Sequence, residues 1–324
     1  MVRQHRRHFM ASLLALGLAG AGIGPAMASS YPDKPVTFVV PYPAGGATDM
    51  LARIMAQQFT ESWKVPVVVE NRAGAGGTIG ASSVVRGAPD GYTVLFTIVA
   101  LVQQIPLMKL PYDPLKDLAP LTRVASSPSI LAVTKDIPVK TLPEFISYAK
   151  THDGKLNYGT YSAGTSSHLQ MSLLSVQYGL NMTHIPYKGA APLVSAMMGR
   201  HVDAAFLDAA SSRSQLSSFT LLGVTGTERL SWLPNVPTLK EQGAKSFEPL
   251  GWFGLFMPSA TPQAIQTRFT DEAIRILKKP DVRQRIEDLG LIAGGDTQAA
   301  FKELVVRDAK VYADIVREAK VTLD

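Results

Sequence analysis

Residues 31–53 read YPDKPVTFVVPYPAGGATDMLAR and contain one complete strand–turn–helix unit. Residues 36–40, VTFVV, form an apolar and largely β-branched run, which is typical of a strand buried on both faces. After a turn rich in proline and glycine, apolar residues recur at the spacing of one helix face: Leu51, Ile54, Met55 and Phe59. The segment therefore predicts a buried strand that leads through a glycine turn into an amphipathic helix.

The same alternation of strand-like and helix-like segments continues along the chain. Further strands are predicted at residues 65–69, 92–97, 131–134, 156–161, 202–207 and 221–225. Helices are predicted at residues 78–85, 141–151, 166–178, 191–198 and 281–289, and from about residues 262 and 298 onward. The proline-punctuated stretch 105–128 is predicted to cross between domains. This order is typical of an α/β fold with mixed, mostly parallel sheets and flanking helices.

Length and composition limit the classes to which the chain can belong. With 324 residues, and about one domain per 150 residues, two domains are expected. A content of 46% hydrophobic and 18% charged residues fits a globular protein and argues against a disordered or coiled-coil chain. The sequence has no cysteine, which excludes disulfides, thiolate metal sites and a cysteine nucleophile.

Residues 1–28 have the three parts of a secretory signal peptide. The start is cationic, residues 9–24 form an apolar run, and Ala26 and Ala28 place small residues before the expected cleavage point after Ala28. A membrane anchor is the alternative, but the run is shorter than the ~20 apolar residues that span a bilayer. Cleavage predicts an exported, periplasmic protein. It also removes three arginines and lowers the formal net charge from +6 to +3, which argues against a nucleic-acid partner.

Three segments share one design, in which a strand ends, small residues turn the chain and a helix begins. They are PYPAGGATD at residues 41–49, RAGAGGT at 72–78 and YSAGTSSH at 161–168. A helix start leaves unpaired N–H groups and carries positive partial charge, and glycine lets a ligand approach the backbone closely. Each turn taken singly is better explained as a plain connection. Three together, with hydroxyl side chains beside them, predict a site for a small carboxylate or phosphate.

Other chemistries find less support in the sequence. Gly74 and Gly76 could begin a dinucleotide-binding fingerprint, but Ile79 stands where its third glycine belongs. Ser162 lacks the glycine two positions earlier that a nucleophile elbow needs. No two histidines have the spacing of metal ligands. We therefore expect neither a cofactor nor a metal ion.

Three polar side chains beside the predicted loops each allow two interpretations. Asp49 precedes Arg53 by four residues, so a capping or ion-pair role fits it better than ligand contact. His168 lies in the first turn of a predicted helix, where it could contact a ligand or simply pack. Asp208 follows a predicted strand, where it could accept a hydrogen bond from a ligand hydroxyl or ammonium, or cap the next helix.

Six segments occur together in an order that is characteristic of one family. They are YPDKPVTFVVPYPAGGATDMLAR, VVVENRAGAGGTIGA, PDGYTVLF, YGTYSAGTSSHL, HIPYKGAAP and LPNVPTLKEQG. With them the chain resembles the periplasmic solute-binding proteins of tripartite tricarboxylate transporters, often called the Bug family, over almost all of residues 31–323. The resemblance implies a two-lobed, type II-like clamshell, with residues 29–128 plus 226–324 in one lobe and residues 129–225 in the other.

The resemblance also implies a function. It assigns the chain as a receptor rather than an enzyme, with small carboxylates as ligands: di- and tricarboxylates, acidic amino acids or aromatic acids. Its implied partners are the membrane subunits of a tripartite tricarboxylate transporter, and the receptor itself is expected to be a monomer. The candidate binding residues, from the three loops and the side chains flanking them, are Tyr42, Ala44, Gly45, Gly46, Thr48, Gly76, Gly77, Thr78, Thr97, Tyr161, Ser162, Ala163, Thr165, Ser166, His168 and Asp208.

In this interpretation the first two loops bind the carboxylate through backbone N–H groups, and the third closes over it from the other lobe. Two alternatives stay open. An extracytoplasmic sensor subunit would use the same clamshell with a signalling partner. A periplasmic hydrolase or isomerase would use Ser162 or His168, although no base–orienter pair is visible near either residue in the sequence.

Overall fold

The computed structural model describes residues 31–322, so the predicted signal peptide lies outside the described residues. The strands in chain order are β1 (Val36–Val40), β2 (Val67–Asn71), β3 (Thr93–Ile98), β4 (Leu118–Ser127), β5 (Ser129–Thr134), β6 (Leu156–Thr160), β7 (Met182–Pro186), β8 (Ala204–Asp208), β9 (Phe219–Val224), β10 (Gly251–Pro258) and β11 (Ile292–Ala293). The helices are α1 (Ala47–Trp63), α2 (Thr78–Val85), α3 (Ala100–Gln103), α4 (Leu142–Thr151), α5 (Ser166–Tyr178), α6 (Ala190–Met198), α7 (Ala209–Ser212), α8 (Gln263–Leu277), α9 (Pro280–Asp288) and α10 (Gln298–Glu318). Between residues 31 and 322, no helix combines the length and the apolar character needed to cross a bilayer.

The strands form two sheets with helices packed around them, so the predicted two-lobed α/β fold is confirmed. The first sheet has the order β11-β4-β10-β3-β1-β2 and the second the order β7-β6-β8-β5-β9. We call the units around them the first lobe and the second lobe. In both, parallel strands occupy one half and antiparallel strands the other.

The expectation that most strand pairs are parallel is wrong. Four of the nine pairings in the described chain are parallel: β1 with β2 and β3, and β6 with β7 and β8. Each antiparallel pairing includes at least one of β4, β5, β9, β10 and β11, and the chain crosses between the sheets through four of these strands. Helical crossover connections, which the sequence pattern shows clearly, produce only the parallel half.

Strand β4 lies inside the stretch that the sequence analysis predicts to cross between domains. It has ten residues and a proline, Pro120, in its interior. Proline normally argues against a paired strand because it cannot donate to the ladder. Here the register between β4 and β10 shifts beside Pro120, between Leu255 and Phe256, and this irregularity accommodates it. The crossing itself occupies only Pro128, between Ser127 and Ser129.

The two crossings between the sheets lie side by side. The chain leaves the first sheet at Ser127, and it returns at Gly251, which pairs directly with Ser127. Hinges consist of a few residues at the ends of elements that absorb changes in torsion angle, and two adjacent crossings can do so together. The base of the cleft between the lobes is therefore formed by these two adjacent crossing segments.

Residues 226–250 pack on the second lobe. The Leu239 N–H donates to the Val224 carbonyl at 2.9 Å, and Gln242 Nε2 donates to the Leu222 carbonyl at 2.7 Å. The rings of Phe206 and Phe247 stack with centroids 5.6 Å apart. We therefore propose that the second lobe extends from residue 129 to about residue 250, beyond the boundary at 225 expected from the sequence.

The C-terminal helices complete the first lobe and connect it to the second. The Phe269 ring of α8 stacks on Phe59 of α1, with centroids 4.7 Å apart. Helix α10 packs against β4 and α3 in the first lobe and against α5 in the second. Because Phe301 of α10 and Leu173 of α5 belong to one buried apolar cluster, the lobes share part of their core.

Candidate functional site

A cleft of about 660 Å³ lies between the lobes, beyond the carboxyl ends of β1, β3, β6 and β8. This is where open α/β sheets hold their ligands, because helices begin there and turn their free N–H groups toward the gap. Nine sequence-predicted residues line the cleft: Tyr42, Thr48, Gly76, Tyr161, Ser162, Ala163, Thr165, Ser166 and Asp208. The structure thus brings all three predicted loops together around one space.

The first loop presents the start of α1 to the cleft. Ala47 and Thr48, the first two helical residues, line it, and no side chain caps this helix. Asp49 instead stabilises the loop, because its carboxylate accepts from the Gly45 N–H at 3.0 Å and from Arg53 Nε at 2.9 Å. Of the two roles expected for Asp49, the ion pair with Arg53 is therefore confirmed, whereas the capping role is not, because α1 has no side-chain cap. Burial opposes ionisation, but the hydrogen bonds from Arg53, Gly45 and Asn71 hold the pKa of Asp49 below its usual value.

The second loop is a tight turn with positive φ at each position of residues 74–77. A Cβ on Gly76 would lie 2.5 Å from Gln104 Nε2, and a Cβ on Gly77 would lie 2.9 Å from the Tyr42 hydroxyl. Gln104 Nε2 donates to the Gly76 carbonyl at 2.7 Å. At positions 76 and 77, glycine permits both the positive φ and the close approaches of Gln104 and Tyr42. The loop can therefore turn tightly beside the cleft, which Gly76 lines.

Tyr42 connects the first two loops. Its hydroxyl approaches Gly77 and hydrogen-bonds Thr97, while the side chain lines the cleft. Burial raises the pKa of Tyr42, with the Thr97 hydrogen bond partly opposing it, so the phenol stays neutral. Tyr42 therefore offers the cleft a neutral aromatic surface rather than a charge.

The third loop comes from the second lobe and is held by its own side chains. Thr165 Oγ1 donates to the Ser162 carbonyl at 2.7 Å, and the Tyr161 N–H donates to Ser167 Oγ at 3.0 Å. With the Thr165 hydroxyl used in this way, no side chain caps α5. The first N–H groups of α5 are left for the cleft, where Ser166 is also found.

His168 lies behind the third loop and does not line the cleft. Its Nδ1 accepts from the Gly164 N–H at 3.1 Å, and its ring stacks on His184 with centroids 4.0 Å apart. Burial and the neighbouring His184 lower the pKa of His168 to about 4, so the ring is neutral and Nδ1 is free to accept. Of its two interpretations, the structure shows the packing role, in which His168 supports the loop from within the lobe.

Asp208 lines the cleft and also caps α7. Its Oδ1 accepts from the Ser211 N–H at 2.9 Å and from Ser211 Oγ at 2.8 Å. The Ser127 hydroxyl donates to Oδ2, and the Asp208 N–H donates to the Tyr161 hydroxyl. The capping interpretation is therefore confirmed, while the carboxylate still faces the cleft.

Seven predicted residues do not line the cleft. Ala44, Gly45 and Gly46 form the exposed tip of the first loop, with Gly45 held by Asp49. Thr78 Oγ1 donates to Gln104 Oε1 at 3.1 Å. The remaining three support neighbouring groups: Gly77 admits the Tyr42 hydroxyl, Thr97 hydrogen-bonds it, and His168 holds Gly164.

Sequence analysis missed several residues that line the cleft. Gln103 and Gln104 come from the end of α3, and Ser127 comes from the proline-punctuated stretch; no site was expected at either place. Trp252 comes from β10, a strand that the analysis did not predict. Gly189, at the start of α6, belongs to the HIPYKGAAP segment, so its place in the sequence pattern was the one available signal.

The cleft contains no lysine, arginine or histidine among the described residues that line it. Its polar groups are backbone N–H groups, hydroxyls, the two amides of Gln103 and Gln104 and one carboxylate, Asp208. The apolar part of the lining is formed by Ile98, Val99, Leu107, Met108, Trp252 and Phe253. A small number of convergent polar groups beside an apolar surface is typical of a site for a small organic molecule.

Comparison with known proteins supports this assignment. The family model described as "Tripartite tricarboxylate transporter family receptor" matches residues 51–319. Protein BugT of Bordetella pertussis is 30% identical over 318 residues, which cover 96% of this chain and 98% of BugT. The structure of R. palustris Rpa4515 with adipate has a TM-score of 0.80 at 29% identity and covers 90% of this chain and 99% of its own. MatC from Rhodopseudomonas palustris with bound malate has a TM-score of 0.74 at 31% identity, over 88% of this chain and 100% of MatC.

Proposed function

Because the chain belongs to the tripartite tricarboxylate transporter receptor family, a family of periplasmic solute-binding proteins, we propose that it captures a small carboxylate. We further propose that it is exported by cleavage after Ala28, acts as a monomer, and delivers its ligand to the membrane subunits of such a transporter. Two structural relatives are described with bound dicarboxylates, adipate and malate. Their ligand chemistry supports the same class of ligand for this chain.

The observation that carries the proposal is the set of helix starts around the cleft. Helices α1, α2, α5 and α6 each contribute residues from their start, or from the turn just before it, to the lining. None of the four has a side-chain cap. Helices α8 and α9 also lack a side-chain cap, but their starts do not line the cleft, so the four are distinguished by their convergence on one space. Free N–H groups and positive partial charge at four helix starts favour an anion between the lobes.

Binding in this cleft would use both lobes. The starts of α1 and α2 belong to the first lobe, whereas α5 and α6 belong to the second. A carboxylate that accepts hydrogen bonds from both sides stabilises the closed arrangement over the open one. Closure of the lobes about the two crossing segments would then present a ligand-dependent surface to the transporter.

The family is a receptor family rather than an enzyme class, and the local geometry agrees with a receptor. The hydrolase alternative needs a base for Ser162, and His168 is the nearest candidate in the sequence. His168 Nδ1 already accepts from the Gly164 N–H, and the ring is buried beside His184. An exposed serine without an activating base is a weak nucleophile.

Thermal unfolding in the presence of organic acids tests the proposal. The protein is first unfolded and refolded to remove copurified ligand, and native mass spectrometry verifies that it is ligand-free. At least one di- or monocarboxylate at 100 times its Kd is expected to stabilise the fold by about 2.7 kcal/mol. The same acid should give no stabilisation of a variant in which Gly76→Val closes the second loop. If no acid in a broad panel stabilises the folded protein, the proposed function is wrong.

Delivery to a transporter is tested in cells. Uptake of the stabilising acid should fall when the chain is deleted and recover when it is restored. Normal uptake without the chain, combined with a lost transcriptional response to the acid, would favour a sensor subunit instead.

A further inference from the structure

Two carboxylates lie at the loops around the cleft, and their surroundings differ. Asp49 is paired with Arg53, whose Nε lies 2.9 Å from Oδ2. Asp208 accepts only from neutral donors, the Ser127 hydroxyl and the N–H and hydroxyl of Ser211. In residues 31–322 no lysine, arginine or histidine nitrogen lies within ion-pair distance of Asp208.

The nearest arginine along the chain from Asp208 is used elsewhere. Arg213 Nη1 donates to the Glu287 carbonyl at 3.0 Å, at the end of α9, and the guanidinium covers the Trp232 ring at 4.8 Å. These contacts hold the guanidinium at α9 and Trp232, and Arg213 does not line the cleft. Asp208 therefore contributes negative charge to a cleft whose other polar groups are neutral.

Hydrogen bonds leave Asp208 with capacity for a further donor. A carboxylate has about four lone-pair sites, and protein donors occupy three of those of Asp208, which leaves about one for a ligand. Asp208 stands at the carboxyl end of β8, and the hydroxyl of Tyr161, the first residue of the third loop, accepts its N–H. A ligand carboxylate at the start of α5 would thus have a negatively charged acceptor close by in the same lobe.

Resting on the proposed function, we propose that the ligand is an acid with a hydrogen-bond donor, hydroxyl or ammonium, on its carbon chain, and that Asp208 accepts from this donor. The helix starts bind the carboxylate, and Asp208 selects the substituent. An acid of the same length without such a donor binds less tightly, because it approaches the charge of Asp208 without forming a hydrogen bond to it.

The apolar lining accommodates the rest of such a ligand. Val99, Leu107, Met108 and Phe253 border the same space as the polar loops. Apolar side chains can bury a hydrocarbon or aromatic body but cannot satisfy a second carboxylate. The chemistry of the cleft therefore fits a carboxylate ligand that has a donor on an otherwise apolar carbon chain.

Matched series of acids test this inference by calorimetric titration of ligand-free protein. One series is succinate, malate and aspartate, and the other is 3-phenylpropanoate, 3-phenyllactate and phenylalanine. In each series the first acid lacks the donor, the second carries a hydroxyl and the third an ammonium. A donor-bearing acid should bind about 10- to 100-fold more tightly than its parent, as expected for a hydrogen bond to a charged group. Whether the second or the third acid binds best distinguishes hydroxy acids from amino acids.

The variant Asp208→Asn tests the role of the carboxylate. Asparagine still caps α7, so the fold is retained, but the preference for the donor should shrink to about threefold or less. Asp208→Ser, a second capping residue, replaces it if the first variant does not fold. Asp136→Asn, which breaks an exposed ion pair with Arg200, is the control and should keep the full preference.

The outcomes separate this inference from the proposed function. Equal affinity for parent and donor-bearing acids in both series, or an unchanged preference in Asp208→Asn, overturns the inference and leaves the carboxylate receptor intact. Failure of every acid to bind overturns both.

Discussion

Gln103 Nε2 donates to Ser166 Oγ at 2.8 Å, which joins the end of α3 in the first lobe to the start of α5 in the second. Gln103 is only 2% exposed, and its side chain also hydrogen-bonds Tyr312 of α10. Both residues line the cleft. The hydrogen bond therefore connects the two lobes at the place where the proposed ligand would lie.

Replacing Gln103 with methionine should weaken ligand binding as well as the fold, because the buried Tyr312 hydroxyl also loses a hydrogen-bond partner. The substitution keeps the volume of the side chain but removes the hydrogen bond between the lobes, which is worth about 1 kcal/mol. The closed arrangement loses that contribution, so affinity for the stabilising acid should fall about fivefold in calorimetry. Gln177→Met is the matched control, because Gln177 bonds Lys245 on the outer surface. Equal affinity in both variants would show that Gln103 plays no part in closure.

The buried histidine pair should make the protein less stable as the pH falls. The pKa of His168 is about 4 in the fold, below its ordinary value of 6.5, because of burial and the neighbouring His184. Between these two values the unfolded chain binds more protons, so the free energy of unfolding decreases on acidification, by at most about 3 kcal/mol. Protonated Nδ1 would also lose the Gly164 N–H. Urea unfolding from pH 7 to pH 4 measures this dependence.

The matching variant for this pH dependence is His168→Gln. The amide oxygen of glutamine can accept from the Gly164 N–H but does not titrate. The slope of stability against pH should be shallower in this variant, whereas His201→Gln, at an exposed histidine, should keep the native slope. Parallel curves for all three proteins would contradict the role assigned to His168.

Alanine at Gly77 should damage both the fold and the site. Gly77 has φ of 104°, and a Cβ would lie 2.9 Å from the Tyr42 hydroxyl, so the tyrosine must move. We expect a loss of about 2 kcal/mol in unfolding free energy and about tenfold in ligand affinity. Gly179→Ala has a comparable φ of 64° but open space around its Cβ. It should lose about 1 kcal/mol of stability and no affinity. Similar affinities in the two variants would argue against the second loop as part of the site.

Trp252 should report ligand binding by its fluorescence. It is the one tryptophan among the described residues that line the cleft, and its Nε1 donates to the buried Asp308 carboxylate at 3.1 Å. Adding a stabilising acid should change the emission of the native protein and of Trp232→Phe. Trp252→Phe should lose this response, and it should be less stable by about 2 kcal/mol because Asp308 loses a hydrogen-bond donor. A full response from Trp252→Phe would place the ligand away from this cleft.

The sequence predicts most of the parallel strands, because strand–turn–helix units have strong local signals, but it misses β7 at the edge of the second sheet. The capping box at Thr141 and Glu144 and the stop at Gly179 appear in the structure where the pattern placed them. Among the antiparallel strands, β5 and β9 are also predicted, whereas β4, β10 and β11 lack such signals. Pro120 argues against a strand in the sequence of β4. Strand β10 has no distinctive sequence pattern, and only its pairing with β3 and β4 in the structure identifies it.

For the candidate site, the sequence predicts the loops better than the side chains. Glycines and small residues mark the turns, so the cleft-lining positions of Thr48, Gly76 and Ser166 follow from the pattern. The direction of a side chain depends on packing, which is why His168 turns inward to His184. Residues such as Trp252 reach the cleft from strands that are distant in sequence, and no local pattern marks them.

A crystal structure of the chain with its most stabilising organic acid tests the central claim most directly. We expect a carboxylate oxygen of the ligand within hydrogen-bond distance of backbone N–H groups at the start of α1 or α2 and at the start of α5, with no lysine or arginine contacting it. A ligand bound outside the cleft, or one held by a cationic side chain with no contact to these helix starts, would contradict the account.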